Sequence, residues 1–230
     1  MRYALIVYTL LLAVLLITYR KWVATTDSYI RDRVVLIHSI NEMCTGVKII
    51  APSKQTYILT AYHCHDIAKK GLMAVQDEQD HDHYVKILDE DPDHDLLLLQ
   101  AYDNEGVEIA NKLRKHEHIH AITHGNNMPS WRSDGEVLKE TLLQIPVDDI
   151  KEEDCKGPGL MVEHALFNTL CMKSLLLVQV KLLIWPGSSG GPVLNSMGKL
   201  VGIANVNDDS HQESAAMVPL RDIKSFLKNR

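Results

Sequence analysis

Beyond residue 32 the chain reads as a succession of short apolar runs separated by Gly, Pro, Asn and Asp. RVVLIH at 33–38, GVKIIA at 46–51, TYILT at 56–60, YVKIL at 84–88, DLLLLQA at 95–101 and HIHAIT at 118–123 come first. ETLLQIPV at 140–147, LMVEHALF at 160–167, LLLVQVKLLI at 175–184, LVGIANV at 200–206 and AAMVPL at 215–220 follow. Runs of this kind, bounded by turn formers, predict β-strands. Helical spacing emerges only at the end, where LRDIKSFLKN sets Leu220, Ile223 and Leu227 on one face. About a dozen strands and one terminal helix predict an all-β pair of barrels, not a layered α/β protein. The acidic DEQDHDH at 77–83 reads as a solvated hairpin tip; it lacks a full set of calcium ligands.

The amino-terminal pattern is different. Tyr3 to Tyr19 is apolar throughout and ends at Arg20-Lys21. Its seventeen residues lie at the short limit for a membrane-spanning helix. A cleaved signal peptide is the rival, but no small-residue cleavage site follows the run. The expected layout is a membrane anchor at 1–21, a polar connector at 22–32 and one folded domain at 33–230.

Composition narrows the class. An apolar content of 46% supports a sizeable core. The net charge is −6, and without Arg2, Arg20 and Lys21 the remainder carries 21 basic against 30 acidic residues. Such a surface does not attract nucleic acid, and no basic stripe with interleaved aromatics is present. Cys44, Cys64, Cys155 and Cys171 all lie beyond the apolar segment. They allow three connectivities and form no C-x-x-C zinc pattern, so two disulfides in an oxidising space are favoured over a metal site. Free buried thiols would be expected if the domain faced the cytosol. His116, His118, His120 and His124 fall on one strand face by period-two alternation, which is read as ordinary strand sequence. No metal and no cofactor are expected.

Three segments carry chemistry. ILTAYHC at 58–64 ends a strand and presents His63. DEDPDHDLLLLQ at 89–100 places Asp95 at the mouth of a buried strand, and PGSSGGPV at 186–193 offers Ser189 among glycines. A serine hydroxyl is a poor nucleophile until a neutral imidazole takes its proton. A carboxylate accepting the other ring N–H holds that imidazole in the productive tautomer. The order His, Asp, Ser excludes the α/β-hydrolase reading of Gly187-x-Ser189-x-Gly191, because those enzymes place acid and histidine after the serine.

These segments resemble the trypsin-like, chymotrypsin-fold serine proteases, nearest the HtrA/Deg branch. LTAYHC is similar to T-A-A-H-C, DPDHDLLLLQ to D-x-x-x-D-[IL]-A-L-L, and GSSGGPV to G-[DN]-S-G-G-P; LVGIANV and AAMVPL resemble the two strands that follow. The likeness spans about residues 33–228. It implies two six-stranded antiparallel β-barrels with a C-terminal helix and a site in the cleft between them. His63 then corresponds to the general base, Asp95 to its orienting partner and Ser189 to the nucleophile, with Gly187 and Ser189 N–H groups as the oxyanion hole. The resemblance also implies a Cys44–Cys64 bridge, leaving Cys155–Cys171 as the second. It puts Leu183 at the floor of the specificity pocket and Asn205, Val206 and Asn207 along a wall. No acid stands there, so an apolar or small residue before the cleaved bond is expected.

Two departures stand out. Tyr62 replaces a small residue before the histidine, and Ser188 replaces the Asp or Asn before the nucleophile. The latter argues against activation by a new amino terminus. With one helix after the second barrel, no PDZ domain is expected. The function implied is a membrane-anchored serine endopeptidase acting on protein or peptide substrates through an acyl-enzyme. The alternative is a catalytically inactive binding protein on the same fold. A single-pass membrane location with an extracytoplasmic domain is expected, or secretion if the leader is cleaved.

Overall fold

The computed structural model describes residues 8, 11–15, 18, 26–39, 42–67, 72–125, 130–147, 160–164, 169–207, 215–228 and 230. Within strands, only the backbone is described at 143–147, 160–164, 169–173 and 206–207. Two closed barrels dominate. The first is built from β1 (Val34–His38), β2 (Met43–Ile50), β3 (Thr56–Thr60), β4 (Leu72–Gln76), β5 (Asp82–Asp91) and β6 (Leu96–Gln100). Its antiparallel order β1-β4-β5-β6-β3-β2 closes through β1–β2 pairing, and β7 (Val107–Glu108) adds to β2 in parallel.

The second barrel uses β8 (His118–Thr123), β9 (Trp131–Val147), β11 (Thr169–Lys181), β12 (Pro192–Asn195), β13 (Leu200–Asn207) and β14 (Ala215–Pro219). The order β11-β14-β13-β12-β8-β9 closes through β9–β11, and β10 (Leu160–His164) extends the edge of β11. The expected pair of six-stranded antiparallel barrels is therefore present. The terminal helix runs Leu220–Phe226, shorter than its apolar spacing suggested, with Ile223 and the following Leu227 fully buried.

The four-leucine run shows how the barrels are joined. Strands normally alternate inside and outside, yet Leu96 to Leu99 are all fully buried. Leu97 and Leu99 enter the first barrel's interior with Val35, Ile58 and Met73. Leu96 and Leu98 face the other way, into a cluster shared with Ile122, Leu177, Leu194 and Ile203 of the second barrel. A strand covered on both faces reads as a continuous apolar run. Each such leucine contributes roughly 1.5–3 kcal/mol of burial, and Asp95 sits directly at the start of this clamped strand.

Residues 26–31, expected as plain connector, are helical and pack onto the barrels. Ile30 is fully buried in the shared cluster, Asp27 accepts a hydrogen bond from Arg132, and the Arg31 guanidinium donates to Ser130 Oγ at 2.8 Å. Among the described residues no helix is long and apolar enough to cross a membrane. The Tyr3–Tyr19 segment lies largely outside the described residues.

Candidate functional site

β3 ends at Thr60 and the chain tightens into a 3₁₀ turn, Tyr62–Ile67, that carries His63. The Cys44–Cys64 disulfide ties this turn to β2, in the pairing the resemblance implied. Asp95 closes the turn after β5 with φ of 55°, a left-handed conformation that Asp tolerates better than most residues. That twist turns its carboxylate back onto the histidine. Asp95 Oδ1 accepts the His63 backbone N–H at 2.9 Å, and Oδ2 pairs with His63 Nδ1 at 2.9 Å. Asn205 Nδ2 donates to the same Oδ2.

Asp95 is buried, whereas the His63 side chain is 46% exposed. Partial burial pulls the imidazole pKa down, but the hydrogen bond and charge of Asp95 outweigh it, and the net shift is upward. With Nδ1 donating to the carboxylate, Nε2 is left as the acceptor. That is the protonation pattern a general base needs.

Ser189 arrives from the second barrel, on the loop between β11 and β12. Gly187 has φ of +94°, and a Cβ there would stand 2.8 Å from the Met43 sulfur. Gly190, at φ +83°, would push a Cβ to 2.0 Å from Thr60 Oγ1. The glycines thus let the loop turn while pressed against the first barrel. Between them Ser188 is fully buried; its hydroxyl bonds Thr123 Oγ1 at 2.9 Å and accepts the Trp185 N–H at 3.2 Å. Neither the Gly187 nor the Ser189 N–H has an acceptor among the described residues. Two neighbouring N–H groups without acceptors are available to a developing oxyanion.

Ser189 Oγ itself donates to the Asn205 carbonyl at 2.9 Å. His63 and Asp95 are therefore joined, and Ser189 reaches them through Asn205 rather than by a direct bond to the imidazole. Asn205, expected along a pocket wall, turns its side chain inward to Asp95 and is buried. Leu183 is half-buried beyond β11, its N–H given to Ser133 Oγ at 2.9 Å. Val206 and Asn207 continue β13 as backbone. Cys155 lies outside the described residues, and Cys171 is placed by its backbone opposite Val147 and Val162.

The histidine-rich strand splits. His116 stands in a turn at φ 60°, His118 and His120 share β8, and His124 follows the strand end. His118 pairs in register with Glu136 and His120 with Asp134, but Asp134 is taken by Arg132 at 2.6 Å. The DEQDHD segment is a hairpin turn organised by Asp77, which accepts the Gln79 and His81 N–H groups at 2.9 Å each. Burial pushes its pKa up, but these bonds and those from the His83 and His81 rings prevail and lower it to about 2. Sequence reasoning missed Thr45, Thr123 and the inward use of Asn205; only the serine standing in for the usual acid at 188 hinted at a different loop support.

Two closed β-barrels thus carry a histidine–aspartate pair, on the first, and a glycine-flanked serine loop, on the second. The trypsin-like peptidase domain model matches residues 44–203, and the chain belongs to that family. It is 26% identical over 191 residues to the serine protease Do-like HtrA of Bacillus subtilis, covering 80% of this chain. The match spans only 38% of that relative's length. In fold it is similar to the active form of the Rv3671c protease of M. tuberculosis, at TM-score 0.67 and 14% identity over 88% of this chain and 82% of that one. The MamO protease domain of Magnetospirillum magneticum gives TM-score 0.58 and 16% identity, over 86% and 96% of the two chains.

Proposed function

We propose that this chain cleaves peptide bonds with Ser189 as nucleophile, His63 as general base and Asp95 as the group that orients His63. The observation carrying the proposal is the His63 Nδ1–Asp95 bond at 2.9 Å, set beside a serine loop with two unengaged N–H groups. Substrate entry turns the Ser189 hydroxyl from the Asn205 carbonyl toward His63 Nε2. Oγ then attacks the scissile carbonyl carbon as its proton passes to Nε2. The carbonyl oxygen becomes an oxyanion received by the Gly187 and Ser189 N–H groups. Collapse breaks the C–N bond, and the imidazolium protonates the departing amine. Water repeats the sequence on the acyl-enzyme, freeing the carboxylic acid and Ser189.

Substrates on this reading are proteins or peptides, with an apolar or small residue before the cleaved bond. Tyr3–Tyr19 tethers the enzyme to a membrane, with the barrels on the oxidising side where a Cys44–Cys64 bridge persists. Carbonate extraction that leaves the full-length chain in the membrane pellet supports the tether; a mature amino terminus near Ala24 refutes it.

Ser189→Ala tests the chemistry. Loss on the order of 10⁶ in turnover is expected, and retained wild-type hydrolysis overturns the assignment. The Ser189–Asn205 hydrogen bond also fits a non-catalytic binding protein. Covalent labelling of Ser189 by a fluorophosphonate, which needs an activated serine, separates the two.

A further inference from the structure

Thr45 touches neither His63 nor the Ser189 hydroxyl, yet it holds the nucleophile loop from the opposite barrel. It lies fully buried in β2, next to Cys44. Its backbone N–H donates to the Ser189 carbonyl at 2.8 Å. Its hydroxyl receives the His124 N–H at 2.9 Å and has the Gly187 carbonyl at 2.8 Å, with the His124 carbonyl farther off at 3.1 Å. One hydroxyl proton serves one acceptor best, and the shorter contact is Gly187. The Thr45 carbonyl accepts Thr60 Oγ1 at 2.7 Å, so the residue is itself fixed within the first barrel.

These bonds fall on a particular pair of peptide planes. The carbonyls of Gly187 and Ser189 belong to the planes 187–188 and 189–190. The free N–H groups of Gly187 and Ser189 belong to the planes 186–187 and 188–189. Held and donating planes therefore alternate, and the donor plane of Ser189 is pinned on both sides. The first plane is held again by the Ser188 N–H, given to the Trp185 carbonyl at 2.9 Å. Glycine at 187 has no side chain to resist a flip, so its φ of +94° needs such external support.

We propose that Thr45 is a positioning residue for the oxyanion-binding N–H pair, acting across the barrel interface through its hydroxyl. This rests on the triad reading above. It separates two roles for neighbouring residues of β2: Cys44 fixes the histidine turn, and Thr45 fixes the donor loop.

The test compares Thr45→Val, which keeps shape and loses the hydroxyl, with Thr45→Ser, which keeps the hydroxyl. Hydrolysis of a peptide substrate is measured beside binding of a peptide boronate, whose tetrahedral oxygen occupies the oxyanion position, and of the matching product peptide. Thr45→Val should lower kcat about 10–100-fold, less than the 10²–10³ seen for outright loss of a donor. KM and product affinity should stay within about threefold, the pattern of an interaction made in the transition state. Boronate affinity should fall in step with kcat, and Thr45→Ser should remain within about threefold of wild type on the same grounds. Wild-type kcat in Thr45→Val overturns the proposal, as does Thr45→Ser failing equally, which would assign the effect to the methyl group. If Thr45→Val does not fold, Thr45→Ala, with sites counted by fluorophosphonate titration, carries the same comparison. Ser189→Ala run alongside distinguishes the failures. An active wild type, an inactive Ser189→Ala and an unaffected Thr45→Val refute only the role of Thr45; equal hydrolysis by wild type and Ser189→Ala refutes the triad.

Discussion

The two barrels differ in how they house histidine. In the first, every histidine has a carboxylate: His38 with Asp82, His63 with Asp95, His65 with Glu90, His81 and His83 with Asp77, and His94 with Asp91. In the second, His116 at the edge also lies near a carboxylate, Glu136 at 3.8 Å, but His120 and His124 are buried, and among the described residues the Nε2 of each has no partner. Burial pushes both pKa values down to about 4, helped by Arg132 beside His120 and Arg31 near His124. The first barrel holds His63 with an ion pair to Asp95 and a disulfide at the neighbouring Cys64. The second carries the Gly187 and Ser189 N–H groups on a loop held by glycines and by the hydroxyls of Ser188, Thr123 and, from the first barrel, Thr45.

Breaking the first barrel's strongest pair should have the largest effect. Asp95→Asn removes the acceptor for His63 Nδ1 and sets an amide against the Asn205 amide. A loss of about 10⁴ in kcat is expected from the wrong tautomer, with the fold retained. The pH profile sharpens the point. His63 must be neutral to act, and its pKa lies above the ordinary 6.5, so activity should rise with pH through a value above 6.5. The sign for stability is opposite. A raised histidine pKa stabilises the fold fully below the unfolded value, and that contribution is lost as pH rises through the folded pKa. Without Asp95 only burial remains, and the kinetic pKa should move downward. An unchanged profile in Asp95→Asn would contradict the pairing.

Next in size is the bridge. Cys44 and Cys64 are 20 residues apart in sequence, and closing a loop of that length stabilises by about 3 kcal/mol. The paired Cys44→Ala, Cys64→Ala variant should lose that much in denaturant titration. Its kcat should fall further than that of a variant equally destabilised in the second barrel, because His63 adjoins Cys64. Equal activity in two such stability-matched proteins would show that the bridge serves the fold alone.

How much of this was legible depends on sequence distance. The segments carrying His63, Asp95 and Ser189 were readable because each is a contiguous signal: strand, then His63; turn, then Asp95 before four leucines; glycines around Ser189. The barrel strands were readable where apolar residues met turn formers. β4 was missed because LMAVQ mixes residues without strand preference, and only pairing with β1 and β5 makes it a strand. The start of β9 was missed because WRSDGEVLK is polar, and its register is set by β8. Thr45 and Asn205 were out of reach for a different reason. Their partners lie 142 and 110 residues away, and nothing local to a buried threonine or asparagine announces a contact across two barrels.

The smallest effect sharpens the comparison on the second barrel's side. His120 is 4% exposed on β8, lining a cavity of about 720 Å³ with Arg132, Asp134 and Thr26. Its folded pKa of about 4 lies below the ordinary 6.5; Asp134 and Asp27 pull it upward, but burial and Arg132 prevail. As pH falls below 6.5 the unfolded chain takes up a proton at this position while the folded chain does not, until about pH 4. Stability present above pH 6.5 is therefore lost across that window, by roughly 2 kcal/mol once relaxation of the protonated site is allowed for. His120→Leu removes the ionisable group together with its unpartnered Nε2, and relief of that buried polar atom acts equally at every pH. In denaturant titrations the stability of the variant relative to wild type should rise by about 2 kcal/mol between pH 7 and pH 4.5. The activity profile should not move, since its acid limb belongs to His63 in the other barrel. Parallel stability curves from pH 7 to 4.5 would mean that His120 takes its proton as readily folded as unfolded, and that the two barrels do not differ in the way they house histidine.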